Sequence, residues 1–323
     1  MRIQVGGRIC SIVITINLKE LPQLLGKSAL KVLLGLVFIV SAVLKLFNMD
    51  MLEIYIYSFH FFSLYSSFMV ARLVIIAELV LGIGLISHSL HKLYWWGSMA
   101  MLLGYTILLI YALHLGRTDN CHCFGSFLQL DPEQSLIKNG VFMVLFLLIY
   151  RMKSWDTPFR WLILCLAIMV STIAVFLISP PDNDMLSNES EQNLQVELFD
   201  EMLDDAPMES LHLRDGKQIV CFFSTGCELC EMAARKLSLM QQFYDFPIDS
   251  ITYVFMGSKE GVKDFYKQSG STYYRNVLYS DLERLLKTIN GSFPTIVFMD
   301  NGTVVHEYGF RDMDEEEIEA YMR

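Results

Sequence analysis

Charged side chains are scarce in this chain of 323 residues: they make up 19% of it, whereas 53% of the residues are hydrophobic. The C-terminal half carries no basic face, which argues against nucleic-acid binding. Seven cysteines are too few for a small protein built on disulfides, and an aromatic content of 13% is too high for a disordered chain. Folded domains with large apolar surfaces are therefore expected.

The charges that are present divide the chain into two parts. The net charge is +5 up to Pro181 and −15 from Asp182 onward. A length of 323 residues suits two domains. We therefore predict an apolar, slightly basic N-terminal part and an acidic C-terminal part of ordinary composition.

Five stretches of the N-terminal part approach the roughly 20 apolar residues that a helix needs to cross a bilayer. With the N-terminus inside the cell, the inner segments hold eight Lys and Arg residues, and the outer loops hold only Arg117 and Lys138. Because basic residues accumulate on the cytoplasmic side, we predict a multi-pass protein of the bacterial inner membrane whose C-terminal part is periplasmic. The stretches are residues 29–47, 68–87, 94–115, 136–150 and 159–178.

The same patterns predict the domain boundaries. The aromatic segment 51–66 is expected to lie along the membrane interface or, alternatively, to cover a lipid-soluble substrate as a lid. The expected parts are a cytoplasmic segment at 1–28, a four-helix membrane domain at 29–152, a fifth membrane helix within 153–181, a linker at 182–195 and a last domain at 196–323.

Beyond residue 195, short strands alternate with amphipathic helices, which is typical of an α/β domain. Asp300, Asn301 and Gly302 separate two strands and predict a hairpin. The expected strands are 218–223, 251–256, 295–299 and 303–308, and the expected helices are 228–243, 259–268 and 314–322.

Cys227 and Cys230 follow a predicted buried strand and open a predicted helix. Thiols at positions i and i+3 of a first helical turn face each other and can close a disulfide ring. The helix dipole lowers the pKa of the first thiol, which makes Cys227 the attacking thiolate, and the more enclosed Cys230 resolves the mixed disulfide. No second cysteine pair or histidine pair at metal spacing lies in this half, so redox chemistry is favoured over a zinc site.

This arrangement resembles the thioredoxin fold over residues 196–323. Phe293 and Pro294 fall where that family places its cis-proline, so a cis peptide is predicted there. The resemblance implies thiol–disulfide oxidoreductase activity, with Pro294 facing the cysteine pair. Two residues depart from the family pattern: Gly226 replaces the common tryptophan, and Phe293 replaces a smaller or β-branched residue.

A second cysteine pair, Cys121 and Cys123, lies in the predicted outer loop after the third apolar stretch. A Cys-x-Cys disulfide closes a smaller and more strained ring than Cys-x-x-Cys, so it should be reduced more easily. A metal site that includes His122, or two idle thiols, is the alternative.

Residues 29–152 resemble the MauE/DoxX family of redox-associated membrane proteins. Residues 41–45, Glu78 and the string Cys-His-Cys-Phe-Gly at 121–125 carry this resemblance. It implies a bundle like that of the vitamin K epoxide reductase relatives, which pass thiol electrons to a quinone, and a role in forming or maintaining disulfides in exported proteins. Quinone is the expected carrier, and no tightly bound cofactor is expected.

Glu78 lies near the middle of the second apolar stretch, where an ionisable side chain is costly and by default functional. It is expected to form an ion pair with Lys45 or Arg72. Alternatively, Glu78 and Lys45 take part in proton transfer or quinone binding, or Glu78 is buried in its neutral form. Cys165 and Cys221 are expected to be buried and inert.

These features predict a multi-domain protein: a transmembrane four-helix bundle, a fifth tethering helix and an α/β thioredoxin-like domain. The hypothesis is a relay in which Cys227 exchanges with exported thiol or disulfide proteins and the Cys121–Cys123 pair exchanges with the domain. Electrons then pass to or from quinone in the bilayer. The resemblance favours oxidation, although a reductase would need the same cysteines. The rival functions are a membrane protein that binds copper(I) or zinc(II) and a membrane redox sensor.

Overall fold

A computed structural model of the chain describes residues 21–87, 89–116, 131–151, 159–180 and 194–323. The predicted N-terminal segment up to residue 20, most of the predicted linker, and both Cys121 and Cys123 lie outside the described residues. The described chain forms two compact units. One comprises the described part of Met1–Lys45 together with Ile75–Ala174, and the other comprises Leu46–Val74 and Val175–Arg323.

The N-terminal region is helical, as predicted. Among the helices that the structure describes there, five are long and apolar enough to cross a membrane, judged by length and composition, and a sixth, Met49–Tyr57, is shorter. The helix Arg160–Ile178 exposes a nearly continuous apolar surface, which is the surface expected of a helix in lipid. The helices are α1 (Leu21–Leu46), α2 (Met49–Tyr57), α3 (Leu64–Ile86), α4 (His91–His114), α5 (Pro132–Ile149) and α6 (Arg160–Ile178).

Close packing of small residues joins α1 to α3. A Cβ atom added to Gly35 would lie 2.8 Å from the carbonyl oxygen of Gly82, so glycine is needed at this crossing. Trp95 of α4 donates a hydrogen bond of 2.8 Å to the carbonyl of Phe146 in α5. The buried cluster at these contacts therefore draws its side chains from α1, α3, α4 and α5.

The C-terminal region contains a five-stranded mixed sheet. The strands are β1 (Lys217–Ser224), β2 (Ile251–Met256), β3 (Arg275–Leu278), β4 (Thr295–Asp300) and β5 (Thr303–Tyr308). The strand order is β3-β2-β1-β4-β5, with β1, β2 and β3 parallel and β4 antiparallel to both β1 and β5. The helices are α7 (Val196–Leu203), α8 (Ala206–Glu209), α9 (Glu228–Tyr244), α10 (Lys259–Ser269), α11 (Leu282–Thr288) and α12 (Glu315–Met322).

The central strand β1 is apolar along its length because both of its faces are covered. Ile219, Cys221 and Phe223 face one buried cluster together with residues of α9. Val220 and Phe222 face the opposite cluster, which α7 and α11 cover. The hairpin predicted at residues 300–302 joins β4 to β5, with Asn301 and Gly302 at positive φ, as a tight hairpin requires.

The predicted linker ends earlier than expected. Leu194 is buried, and its N–H donates to the Glu307 carboxylate at 3.0 Å. The N–H of Gln195 donates to the carbonyl of Thr288 at 2.7 Å. Residues 194 and 195 therefore belong to the folded domain, whereas residues 182–193 lie outside the described residues.

The aromatic segment 51–66 differs from its prediction in its first half. Ile54 and Tyr57 of α2 are each only 1% exposed and belong to the same buried cluster as α9. This half is therefore covered by protein rather than by the membrane interface. Phe61 and Tyr65 remain more than half exposed, at 59% and 57%.

Arg72 is the buried side chain that joins α2, α3 and the end of α6. Its Nη1 contacts Glu53 at 2.5 Å, and its other hydrogen bonds, of 3.0 to 3.1 Å, reach Phe68, Ser179 and Pro180. The alternative prediction that Arg72 pairs with Glu78 is therefore wrong. The reason is that Glu53, on α2, offers a closer carboxylate.

Replacing Arg72 with methionine should lower the free energy of unfolding by about 3–5 kcal/mol, because it removes one partner of a buried ion pair. Thermal unfolding of the detergent-solubilised protein measures this. The matched control is Arg214→Met, whose side chain is 46% exposed in its ion pairs with Asp200 and Asp204, and which should cost less than about 1 kcal/mol. Equal losses for the two variants would contradict the assignment.

Candidate thiol–disulfide site

The chain reaches the cysteine pair through a tight turn at the end of β1. The N–H of Thr225 donates to the carbonyl of Met256, and Gly226 has a φ of +89°. This left-handed conformation favours glycine and disfavours any larger residue. It therefore accounts for the absence of the tryptophan that is common at this position.

Cys227 caps the N-terminus of α9. Its Sγ accepts a hydrogen bond of 3.2 Å from the backbone N–H of Cys230. A hydrogen bond from a helix N-terminus stabilises a thiolate more than a thiol, because it favours the charged form. The local geometry therefore supports the predicted role of Cys227 as the attacking thiolate.

Cys227 and Cys230 form a disulfide, with their Cα atoms 5.2 Å apart. The two thiols differ in exposure: Cys227 is half-buried, and Cys230 is fully buried against the core of the domain. A protein partner can approach only the first sulfur in this conformation. The difference matches the predicted order, in which Cys227 attacks and Cys230 resolves.

The Phe293–Pro294 peptide is cis, as predicted. Thr295, the first residue of β4, is the register partner of Phe222 in β1. Pro294 is therefore placed beside the end of β1 from which the turn leads to Cys227. The half-buried Phe293 packs against the clusters on both faces of the sheet, so a large residue here fills space between them.

Sequence reasoning missed Glu231, which directly follows Cys230. Glu231 is 8% exposed. When the side-chain amide of Gln268 is oriented so that its nitrogen donates, this nitrogen lies 2.6 Å from Oε1 of Glu231. Burial, and secondarily the negative charge of Glu228, raise the pKa of Glu231. In the sequence, the position of Glu231 beside a redox cysteine was the available signal for a role at the site. The burial of Glu231 could not be predicted, because it depends on the packing of α10 against α9.

The two remaining described cysteines differ from one another. Cys221 is fully buried in β1, and burial raises the pKa of its thiol well above the ordinary value. Its predicted inertness is consistent with this. The prediction that Cys165 is buried is wrong, because it lies on an exposed side of the apolar helix α6.

In the helical region, Lys45 and Glu78 form the buried ion pair that the sequence predicted. Tyr105 donates a hydrogen bond of 2.6 Å to Glu78 Oε1 and accepts one of 3.1 Å from Lys45. Glu78 Oε2 is buried and has no hydrogen-bond partner among the described residues. This group is called the Lys45–Glu78–Tyr105 cluster below.

A cavity of about 30 Å³ adjoins the Lys45–Glu78–Tyr105 cluster, with Ser41, Lys138, Asn139 and apolar side chains in its wall. The cluster presents a carboxylate, an ammonium and a phenol to that space, which are groups that can hold a proton.

Among the residues that the structure describes, no group of three His, Cys, Asp or Glu side chains is placed to hold a metal ion. The predicted relay residues Cys121 and Cys123, and the alternative metal ligand His122, lie outside those residues. Of the predicted site residues that it describes, the structure places Cys227, Cys230 and Pro294 near the end of β1, where β4 begins. It places Lys45 and Glu78 in one cluster.

The strand order, the disulfide at the start of α9 and the cis-proline before β4 define the C-terminal part as a thioredoxin-like thiol–disulfide oxidoreductase domain. Residues 25–152 match the family of the methylamine utilisation protein MauE, which confirms the resemblance to MauE inferred for the N-terminal part. Together with the apolar helices, this match indicates a multi-pass membrane protein.

Three further proteins are similar to this chain. Protein TlpB of Flavobacterium psychrophilum is 25% identical over 297 residues, which cover 76% of this chain and 80% of that protein. A thiol:disulfide interchange protein from Bacteroides sp. is 18% identical, with a TM-score of 0.28, over 35% of this chain and 76% of that one. A secreted Mycobacterium tuberculosis disulfide oxidoreductase is 17% identical, with a TM-score of 0.28, over 36% of this chain and 84% of that one. Because both TM-scores are low, the fold assignment rests on the sheet and the site.

After reduction at neutral pH, iodoacetamide should modify Cys227 at least about tenfold faster than Cys230 or Cys221, because Cys227 alone of these three is both accessible and placed at a helix N-terminus. Peptide mass spectrometry over a time course measures the three rates. Cys227→Ser should abolish the fast phase, and Cys221→Ser should leave it intact. A fast phase at Cys230 or Cys221 would be inconsistent with the assigned roles.

Glu78→Leu should destabilise the helical region by about 3–5 kcal/mol, because it leaves the Lys45 ammonium buried without its carboxylate. Combining it with Lys45→Met removes both charges and should recover most of the loss, as measured by denaturation in detergent. If the double variant loses as much free energy of unfolding as the two single variants together, the ion pair contributes nothing to stability. If it is stable yet inactive, the pair also acts in the reaction.

Proposed function

We propose that the protein is a membrane thiol–disulfide oxidoreductase that exchanges electrons with exported proteins carrying thiols or disulfides. The observation that carries this proposal is the Sγ of Cys227, half-buried at the start of α9, hydrogen-bonded to the N–H of Cys230 and bridged to that buried cysteine. One accessible sulfur backed by one enclosed sulfur is the arrangement that dithiol exchange requires.

In the oxidative direction, a substrate thiolate attacks the Sγ of Cys227. The Cys227–Cys230 bond breaks, and Cys230 leaves as a thiolate that takes up a proton. A second substrate thiolate then attacks the substrate sulfur of the mixed disulfide, which releases Cys227. One substrate dithiol is oxidised and one domain disulfide is reduced, and the reverse sequence reduces a substrate disulfide. The family resemblance favours oxidation.

The second part of the proposal is a transfer between the domain and the Cys121–Cys123 pair. The thiolate of Cys227 attacks the disulfide of that pair, and Cys230 resolves the product, so that the domain is reoxidised and the membrane pair is reduced. Two points support this step: the MauE match spans the loop that holds both cysteines, and the excess of basic residues in the opposite loops predicts the periplasmic side for both pairs.

The expected acceptor of these electrons is a lipid-soluble carrier such as quinone, which the resemblance implies. Because the Lys45–Glu78–Tyr105 cluster presents a carboxylate, an ammonium and a phenol, we assign to it a proton and give the quinone ring no position. Oxidation of two thiols releases two protons, and Oε2 of Glu78, which has no hydrogen-bond partner among the described residues, is an acceptor for one of them within the membrane helices.

The proposed organisation is a four-helix membrane domain at 29–152, a fifth tethering helix within 153–181, a linker that ends at residue 193 and a redox domain at 194–323. The N-terminus is inside, and the redox domain is in the periplasm of a bacterium. The charge bias and the apolar length of the five helices support this arrangement.

The test is a trapping experiment with Cys230→Ser, which prevents resolution of the mixed disulfide. The variant should accumulate mixed disulfides from Cys227 to exported proteins and to Cys121 or Cys123. Non-reducing gels followed by mass spectrometry of the linked peptides identify them. The matched control, Cys227→Ser, should accumulate neither species. If Cys230→Ser traps exported proteins but never Cys121 or Cys123, the internal transfer is wrong and the first part of the proposal stands.

A further inference from the structure

Thr225 is the first residue after β1 and lies two positions before Cys227. Residues 224–227 form a tight turn, in which the N–H of Cys227 donates a hydrogen bond of 3.2 Å to the carbonyl of Ser224. Gly226, the third residue of this turn, has the positive φ that a type II turn places there. Thr225 therefore occupies the second position of the turn that leads to Cys227 and the start of α9.

The half-buried side chain of Thr225 lies in a space that two glycines leave open. A Cβ atom added to Gly257, the residue after β2, would overlap Oγ1 of Thr225 and lie 2.9 Å from its Cγ2. A Cβ atom added to Gly261, in the first turn of α10, would lie 2.8 Å from the same Oγ1 and 2.9 Å from Cβ of Thr225. The Thr225 side chain therefore fits only because both positions are glycine, and this space is called the Gly257–Gly261 slot.

Local structure fixes both walls of the slot. Gly257 has a φ of +148°, a conformation that residues with a side chain rarely adopt. Ser258 caps α10, because its Oγ accepts the N–H of Gly261 at 3.0 Å and its carbonyl accepts the N–H of Val262 at 3.0 Å. Glycine is less favourable than alanine within a helix, so helix formation does not account for Gly261, whereas the space that Thr225 needs does.

The backbone of Thr225 is attached to the same connection between β2 and α10. Its N–H donates a hydrogen bond of 2.9 Å to the carbonyl of Met256, the residue before Gly257. Backbone and side chain of Thr225 thus contact this connection at Met256, Gly257 and Gly261. The turn is therefore held by a neighbouring segment as well as by its own strand and helix, and a displacement of Thr225 would move the turn and Cys227 with it.

The position of Cys227 matters because its stabilisation is directional. Cys227 has the extended φ and ψ of an N-cap residue, −93° and 108°, and its Sγ accepts the N–H of Cys230 at 3.2 Å. A hydrogen bond weakens steeply as its distance and angle depart from the optimum. A turn that is displaced at Thr225 would therefore weaken the interaction that favours the thiolate of Cys227.

We propose that Thr225 is a positioning residue of the redox site: its branched side chain, seated in the Gly257–Gly261 slot, holds the turn so that Sγ of Cys227 stays within reach of the Cys230 N–H. The slot makes the reactivity of Cys227 depend on the start of α10, a helix that carries no redox residue. The inference rests on the proposed function, in which Cys227 is the attacking thiolate. It requires contacts within the redox domain alone.

The test is the pH profile of Cys227 alkylation by iodoacetamide in the reduced, full-length protein, followed by peptide mass spectrometry. Thr225→Ala empties the slot, and Gly261→Ala fills it. Each should raise the midpoint of the profile by about half a pH unit or more and slow alkylation at neutral pH about threefold or more, because the thiolate is the reacting form. The rate at high pH should not fall. Glu228 and Glu231, the carboxylates in the first turn of α9, are unchanged in both variants.

Conservative and matched variants separate positioning from a general loss of structure. Thr225→Val keeps the branched shape and should restore the native midpoint, and Thr303→Ala, at an exposed threonine of β5, is the matched control for Thr225→Ala. Gly261→Ala favours helix formation, so α10 should stay folded, which thermal unfolding checks. In a Thr225→Gly background, Gly261→Ala should cause no further shift, because no side chain is left to displace.

Two failures are distinguishable. If Cys227 reacts fastest in the native protein but Thr225→Ala and Gly261→Ala leave its midpoint unchanged, or if Gly261→Ala shifts it equally with and without the Thr225 side chain, the positioning role is overturned and the proposed function stands. If Cys227 reacts no faster than Cys230 in the native protein, the assignment of Cys227 as the attacking thiolate fails, and the positioning role fails with it.

Discussion

The redox chemistry depends on one local interaction, the hydrogen bond from the N–H of Cys230 to the Sγ of Cys227. It exists because β1 ends in a turn that only a glycine at 226 accommodates well, so that α9 begins one residue after Cys227. The helix start supplies the stabilisation of a thiolate, and the buried core behind it encloses the second sulfur. The cis-proline lies at the same end of the sheet, because β4, which follows it, pairs with β1 in an antiparallel register.

Much of this site could be predicted from the sequence because it is built from local signals. The spacing of the two cysteines, the buried strand before them and the turn residues at 300–302 each determine structure within a few residues. The apolar helices are equally local, since length and composition alone identify them. Short elements were not predicted from the sequence. The strand β3, for example, has four residues of mixed polarity and is a strand only because it pairs with β2.

Contacts between distant segments could not be predicted from the sequence. The sequence allowed Glu78 two partners, and the fold selects Lys45 because Arg72 is held by Glu53. The aromatic segment after α1 has the composition of a membrane-interface helix, but its buried half completes the core of a domain more than 150 residues away. Glu231 is an ordinary helix-start carboxylate in the sequence, and only tertiary packing gives it its partner.

The claim that the two cysteine pairs belong to one electron pathway is tested most directly by the redox state of Cys227 and Cys230 in living cells. The measurement compares the native protein with a Cys121→Ser, Cys123→Ser double variant, using acid quenching and thiol labelling. The account predicts a clear shift: towards the dithiol if the membrane part is the oxidant, and towards the disulfide if it is the reductant. An unchanged ratio would contradict the account and leave a membrane-tethered oxidoreductase that works independently of its helical region.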